Sequence, residues 1–123
     1  ENIMEIREDM IPYNICSHSL SIAERAIEHS EIVENTVKKT IKERGWLTTE
    51  LENIGFNTLP SSTNFIFCRP PSSLTTEGLY DSLLEYDIKI KMFEEIELEN
   101  YVRITVGPRK INEKLLSAIE EII

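Results

Sequence analysis

The chain has 123 residues, 41% of them hydrophobic and 28% charged, enough for one globular core that buries about two-thirds of the unfolded surface. Its formal net charge of -9 works against a phosphate-backbone partner, because nonspecific nucleic-acid affinity comes from Lys and Arg displacing counterions. No run of 18 apolar residues is present, and the opening Glu1, Asn2, Ile3, Met4, Glu5 lacks the basic flank and apolar stretch of a signal peptide.

The expectation is therefore a cytoplasmic protein without membrane or nucleic-acid partners. A first residue other than Met, in helix-like sequence, suggests a piece of a longer polypeptide. Cys16 and Cys68 lie far apart in apolar contexts and read as reduced thiols. Cys16-x-His18 has two of the ligands a zinc site needs, and with His29 as the only other histidine no metal site is expected.

Glu1 to Met10 reads as weakly helical and polar, ended by Pro12, with a break over residues 11–14. From Leu20 the apolar positions Leu20, Ile22, Ala23, Ala26 and Ile27 follow helical spacing, and His29-Ser30 marks a stop and a restart. The next helix starts near Glu31. Val33, Val37, Ile41, Leu47, Leu51 and Ile54 form its apolar stripe, with Glu34, Lys38, Lys39, Lys42 and Glu43 on the wet side and Trp46 as a core anchor. Gly45 weakens this helix and Gly55 terminates it.

Beyond Gly55 the period changes from 3.6 to 2. Asn64 to Arg69, between Pro60-Ser61-Ser62 and Pro70-Pro71, reads as a strand. A helix over about 75–86 buries Leu79, Leu83 and Leu84. Residues 87–93 and 101–106 read as two further strands, joined by an acidic run from Glu94 to Glu99, and Asn112 reads as the cap of a last helix carrying Leu115, Leu116, Ile119 and Ile122. The fold class is α+β: an antiparallel sheet of three to four strands with helices on one face, preceded by two N-terminal helices.

The two late strands carry the chemistry. Ile88, Ile90 and Met92 alternate with Lys89 and Lys91, and Val102, Ile104 and Val106 alternate with Tyr101, Arg103 and Thr105. If the strands are neighbours, one face is apolar and the other gathers Lys89, Lys91 and Arg103 in an otherwise acidic chain. Such a face suits an anion, which a guanidinium can hold through two parallel hydrogen bonds. The plain alternative is a solvated outer face whose Lys and Arg protect an edge or pair with residues 94–99.

The tract Val102-Arg103-Ile104-Thr105-Val106-Gly107, with a charged turn and an amphipathic helix after it, resembles the substrate-carboxylate arginine tract of histidinol-phosphate aminotransferases. Pro12-Tyr13-Asn14, Pro60-Ser61-Ser62-Thr63-Asn64-Phe65 and Leu83-Leu84-Glu85-Tyr86-Asp87-Ile88-Lys89-Ile90-Lys91 resemble elements of the same family in the same order. The resemblance implies that residues 1–30 end a large domain and its connection, and that 31–123 are the C-terminal small domain. It implies that Arg103 binds the substrate α-carboxylate, that Asn64 stands beside the cofactor pocket, and that Lys91 falls where the family usually has a second arginine near the substrate's phosphate end. It also implies pyridoxal phosphate as cofactor, an amino acid or amino-phosphate and a 2-oxo acid as substrates, a homodimer, and a role in histidine biosynthesis.

The Schiff-base lysine, the Asp on the pyridine nitrogen and the phosphate cup have no match here, so the chain alone is expected to bind no cofactor and to be inert. Two other readings compete. One keeps the fold with another aminotransferase or a phospho-amino-acid decarboxylase; the other is a small amino-acid-binding regulatory module.

Overall fold

The computed structural model describes residues 15–123. The weak first helix, the break after it and the Pro12-Tyr13-Asn14 motif lie outside the described residues. Residues up to Thr36 and residues from Val37 onward form two separate units.

In the first unit, helix α1 (Ser17–Glu28) follows an extended Cys16 and ends where the His29 N–H reaches the Arg25 carbonyl at 3.1 Å. Helix α2 (Ser30–Asn53) begins at once, so the stop and restart expected at His29-Ser30 are observed. Leu20, Ile22, Ile27, Ile32 and Val33 are all exposed in this unit.

In the second unit the C-terminal half of α2 supplies Leu47 and Leu51, both wholly buried. Val37 and Ile41 stay about half exposed, so the expected stripe joins the core only in that half. Periodicity reports which face is apolar, and burial additionally needs an element opposite it. Gly55, at φ 94, ends α2 in the left-handed region that costs glycine nothing. The Phe56 N–H bonds the Leu51 carbonyl and the Gly55 N–H bonds Glu52, closing the helix with two of its orphan acceptors satisfied.

Three antiparallel strands follow in the spatial order β1 (Asn57–Thr58), β2 (Phe65–Arg69), β3 (Val102–Thr105). Phe65 faces Thr105, Ile66 faces Ile104, Phe67 faces Arg103 and Cys68 faces Val102. Helix α3 (Thr76–Glu85) is capped by the Thr75 hydroxyl, which accepts from the Gly78 N–H at 3.0 Å. Helix α4 (Arg109–Ile122) closes the unit. Ile66, Cys68, Val102 and Ile104 point to the helices and pack with Leu47, Leu51, Leu79, Leu83, Leu115 and Ile119 in one core. The α+β class, the three-stranded antiparallel sheet and the two preceding helices match the expectation.

Four local readings are corrected. Residues 88–92 form no strand: Lys91 makes a single bridge to Arg103, with bonds of 3.1 and 2.9 Å. Asp87 at φ 58 turns the chain out of α3 while the Ile88 N–H caps Leu83, and Ile90 is buried without a ladder. Alternation therefore recorded burial on one side, which one bridge suffices to set. The short strand β1 was not legible, and Leu84 is exposed rather than buried.

Asn112 does not cap α4, which begins three residues earlier after Pro108. It is buried inside the first turn, where its amide accepts from the Gly107 N–H at 2.9 Å and donates to the Gly107 carbonyl at 2.8 Å. A Cβ at Gly107 would stand 3.3 Å from that amide oxygen and 3.2 Å from Ile111, so the close approach favours glycine. Glu43 is not on the wet side either. It accepts from Arg109 at 2.9 and 3.2 Å, and the same guanidinium lies 3.5 Å from the centroid of the half-buried Trp46, tying α2 to α4. That contact holds the Glu43 carboxyl below its usual range.

Candidate functional site

The outward face of the sheet is built by residues that alternate with the core. Phe65, Phe67 and Arg69 come from β2, and Arg103 and Thr105 from β3. The bridge sets Lys91 directly beside Arg103, so the structure brings two of the three candidate residues together. Asn64 stands elsewhere, just before β2, exposed, with its carbonyl accepting from the Val106 N–H at 2.8 Å. No contact joins its side chain to the pair among the described residues.

Like charges set opposite each other across a pair of strands repel, and such an arrangement normally recruits an acidic partner. Here none is present. Among the described residues the ion pairs are His29–Glu31 and Arg109–Glu43, and neither Lys91 nor Arg103 donates a side-chain hydrogen bond. The acidic run folds into turns, with the Leu98 N–H on the Glu95 carbonyl and the Tyr101 N–H on Leu98, and the Glu99 carbonyl accepts from the Thr76 hydroxyl. No ion pair joins these cations to residues 94–99 among the described residues, and both Lys91 and Arg103 are exposed, as a solvated, edge-protecting face also requires.

Aromatic rings surround the cations instead. Phe67 stacks on Tyr101 at 4.8 Å and 5°, and meets Phe93 edge-on at 5.3 Å and 78°. Arg103 lies 5.2 Å from the Phe65 centroid, Lys91 5.8 Å from Phe93, and Arg69 4.8 Å from Tyr101. Arg69 is also tethered, donating to the Tyr101 hydroxyl at 2.9 Å. Beside Lys91 and Phe93 an open cleft of about 580 Å³ runs past Lys89, Met92 and Tyr80.

Sequence reasoning missed the ring cluster, although odd-numbered Phe65, Phe67 and Arg69 carried its signal. Two strands flanking a cationic pair can hold a planar anion in a defined orientation and can do little covalent chemistry alone. Cys68 is no exception, since burial pushes its thiol up to about 12. Among the described residues no cluster of His, Cys, Asp or Glu could hold a metal ion, and no helix is long and apolar enough to cross a membrane.

The family of class I and II aminotransferases matches residues 3–119, and the chain belongs to it. A histidinol-phosphate aminotransferase of Microcystis aeruginosa is 36% identical over 111 residues, which is 90% of this chain and 32% of that protein. The crystal structure of the histidinol-phosphate aminotransferase from Clostridium acetobutylicum has a TM-score of 0.84 at 30% identity, covering 97% of this chain and 36% of that one. The L-threonine-O-3-phosphate decarboxylase from Porphyromonas gingivalis has a TM-score of 0.57 at 27% identity, over 68% of this chain and 26% of that one. The chain spans about a third of the length of the curated relatives it matches.

Proposed function

We propose that this chain is the substrate-clamping, C-terminal part of a pyridoxal-phosphate aminotransferase acting in histidine biosynthesis on histidinol phosphate or its 2-oxo counterpart. The observation that carries the reading is the bridged pair Lys91 and Arg103, two cations with no acidic partner among the described residues, on the outer sheet face of an acidic chain. Residues 1–30 end the large domain and 31–123 form the small one. The working enzyme is a cytoplasmic homodimer, and the chain alone is inert.

Pyridoxal phosphate, when bound in such an enzyme, supplies the electron sink for reaction at the α-carbon. The family's Schiff-base lysine tract has no match among the seven lysines, which lie on α2, on α4 and in the Lys89–Lys91 segment. The cofactor therefore belongs to the rest of the polypeptide. Arg103 receives the α-carboxylate of the amino-acid or 2-oxo-acid substrate, a group that histidinol phosphate itself lacks, in its guanidinium fork and fixes the orientation of the α-carbon, a positioning role. Lys91 offers a point charge to a phosphate, where an arginine would offer two directed bonds. Asn64, which stands apart from this pair, would lie beside the cofactor pocket of the complete enzyme, as the family resemblance implies.

Arg103→Lys keeps the charge and loses the fork. In the full-length enzyme, weakening a desolvated charge pair by about 2–5 kcal/mol lowers kcat/KM by roughly 30-fold to several thousandfold for the amino acid. The matching amine without a carboxylate loses little. Steady-state kinetics with both compounds decide, and equal losses would refute the carboxylate assignment. The likeness to a phospho-amino-acid decarboxylase supports a second reading with the same clamp, in which the α-carbon loses its carboxylate and takes a proton, so that the products are carbon dioxide and the amine.

A further inference from the structure

We propose that Phe65 is the positioning residue of this clamp, its ring holding the Arg103 guanidinium so that the N–H donors remain available to the ligand's carboxylate. This rests on the carboxylate role given to Arg103 above.

A lone guanidinium on a sheet surface samples many rotamers, and a clamp needs it in one place. Acidic side chains are the usual solution, and they would occupy the same fork the ligand has to use. An aromatic face attracts the cation through its quadrupole and takes no directed hydrogen bond from the fork edge. On this face the device recurs, with Arg103 against Phe65, Lys91 against Phe93 and Arg69 against Tyr101.

The strand register explains why Phe65 serves Arg103. Phe67 is the direct cross-strand neighbour, but one of its faces is covered by the stacked Tyr101 and its ring is wedged by Phe93. The guanidinium therefore reaches the diagonal neighbour, a contact within the range of long side chains on one sheet face. Arg69 supplies the internal contrast. It has both a ring and a hydroxyl partner, and so is committed to the protein, whereas Arg103, among the described residues, has the ring alone.

The test uses the full-length enzyme with Phe65→Leu, Phe65→Tyr and Arg103→Lys, assayed on an amino acid and on the amine lacking its carboxylate. Phe65→Leu keeps an apolar side chain but removes the π face. The expected result is a rise in KM and a fall in kcat/KM of roughly 3- to 30-fold for the amino acid, with the amine changed by less than about twofold. Phe65→Tyr, which keeps the ring face, restores the wild-type values, and thermal melting of each variant separates loss of fold from loss of positioning. Equal losses on both compounds, or no rescue by Phe65→Tyr, overturn the inference while Arg103→Lys remains selective. If Arg103→Lys itself fails to discriminate, the carboxylate reading falls, and the positioning role falls with it.

Discussion

The two faces of the sheet are written by adjacent residues of the same strands and obey different rules. Toward the helices, Ile66, Cys68, Val102 and Ile104 are at most 1% exposed and surrounded by Leu and Ile from α2, α3 and α4. Toward the outside, Phe65, Phe67, Arg69, Arg103 and Thr105 keep surface open, with Arg103 against Phe65 and both Phe67 and Arg69 against Tyr101. A period of two thus lets stability and recognition be changed separately, one residue apart.

The largest expected break in that separation comes from the inner face. Ile104→Ala leaves a cavity in a close-packed core and costs about 2–5 kcal/mol, read as a lower urea midpoint at unchanged slope. Its neighbour Thr105→Ala, on the outer face, should stay within about 0.5 kcal/mol. Equal losses at both positions would mean that the faces are not independent.

A smaller effect sharpens the same contrast from outside. Tyr101→Leu removes the ring stacked on Phe67 and the hydroxyl that fixes Arg69, and an aromatic pair is worth about 0.5–1.5 kcal/mol beyond its buried area. The expected outcome is a modest drop in unfolding stability together with weaker anion binding, whereas Ile104→Ala alters stability alone.

The smallest effect is chemical and needs no substitution. Cys68 on the inner face has its thiol raised to about 12 by burial, so across pH 6–9 it stays protonated and protected. Cys16 is exposed, and its thiol is lowered, chiefly by the hydrogen bond with the Ser19 hydroxyl at 3.2 Å. Alkylation should therefore label Cys16 first, with a rate that rises with pH and levels off below the ordinary thiol value, and should reach Cys68 only on unfolding. Peptide mapping after a timed iodoacetamide pulse checks this, and early labelling of Cys68 would show that the inner face opens.

Much of this architecture was legible in the chain because it rests on local rules. Gly55 ends α2, a helix reads over about 75–86, and the alternation in Val102 to Val106 placed Arg103 on the outer face. The rest depends on what lies opposite. Ile88, Ile90 and Met92 alternate as a strand does, yet one bridge is all that forms; Val37 and Ile41 repeat as a buried stripe does, yet stay half exposed. The pairing of each cation with a ring could not be read from spacing, since Arg103 bypasses its direct neighbour Phe67 for Phe65, a choice made by the prior stacking of Tyr101. The acidic run suggested ion pairs, and none with Lys91 or Arg103 forms among the described residues, although Glu94 and Glu99 line the same cleft as Lys91.

Strand β2 pairs with β1 across a short connection, but with β3 only after the chain has travelled through α3 and the acidic turns. Closing a loop of that length costs entropy before any contact rewards it, so the expectation is that this pairing forms late in folding. A β3 variant such as Ile104→Val should then unfold faster without refolding more slowly, and slower refolding would contradict late pairing. Arg103 and its bridge to Lys91 come into being at that step. The surface that would recognise the ligand is thus the last to be assembled, and a bound anion, by favouring the closed pairing, would slow the first event of unfolding.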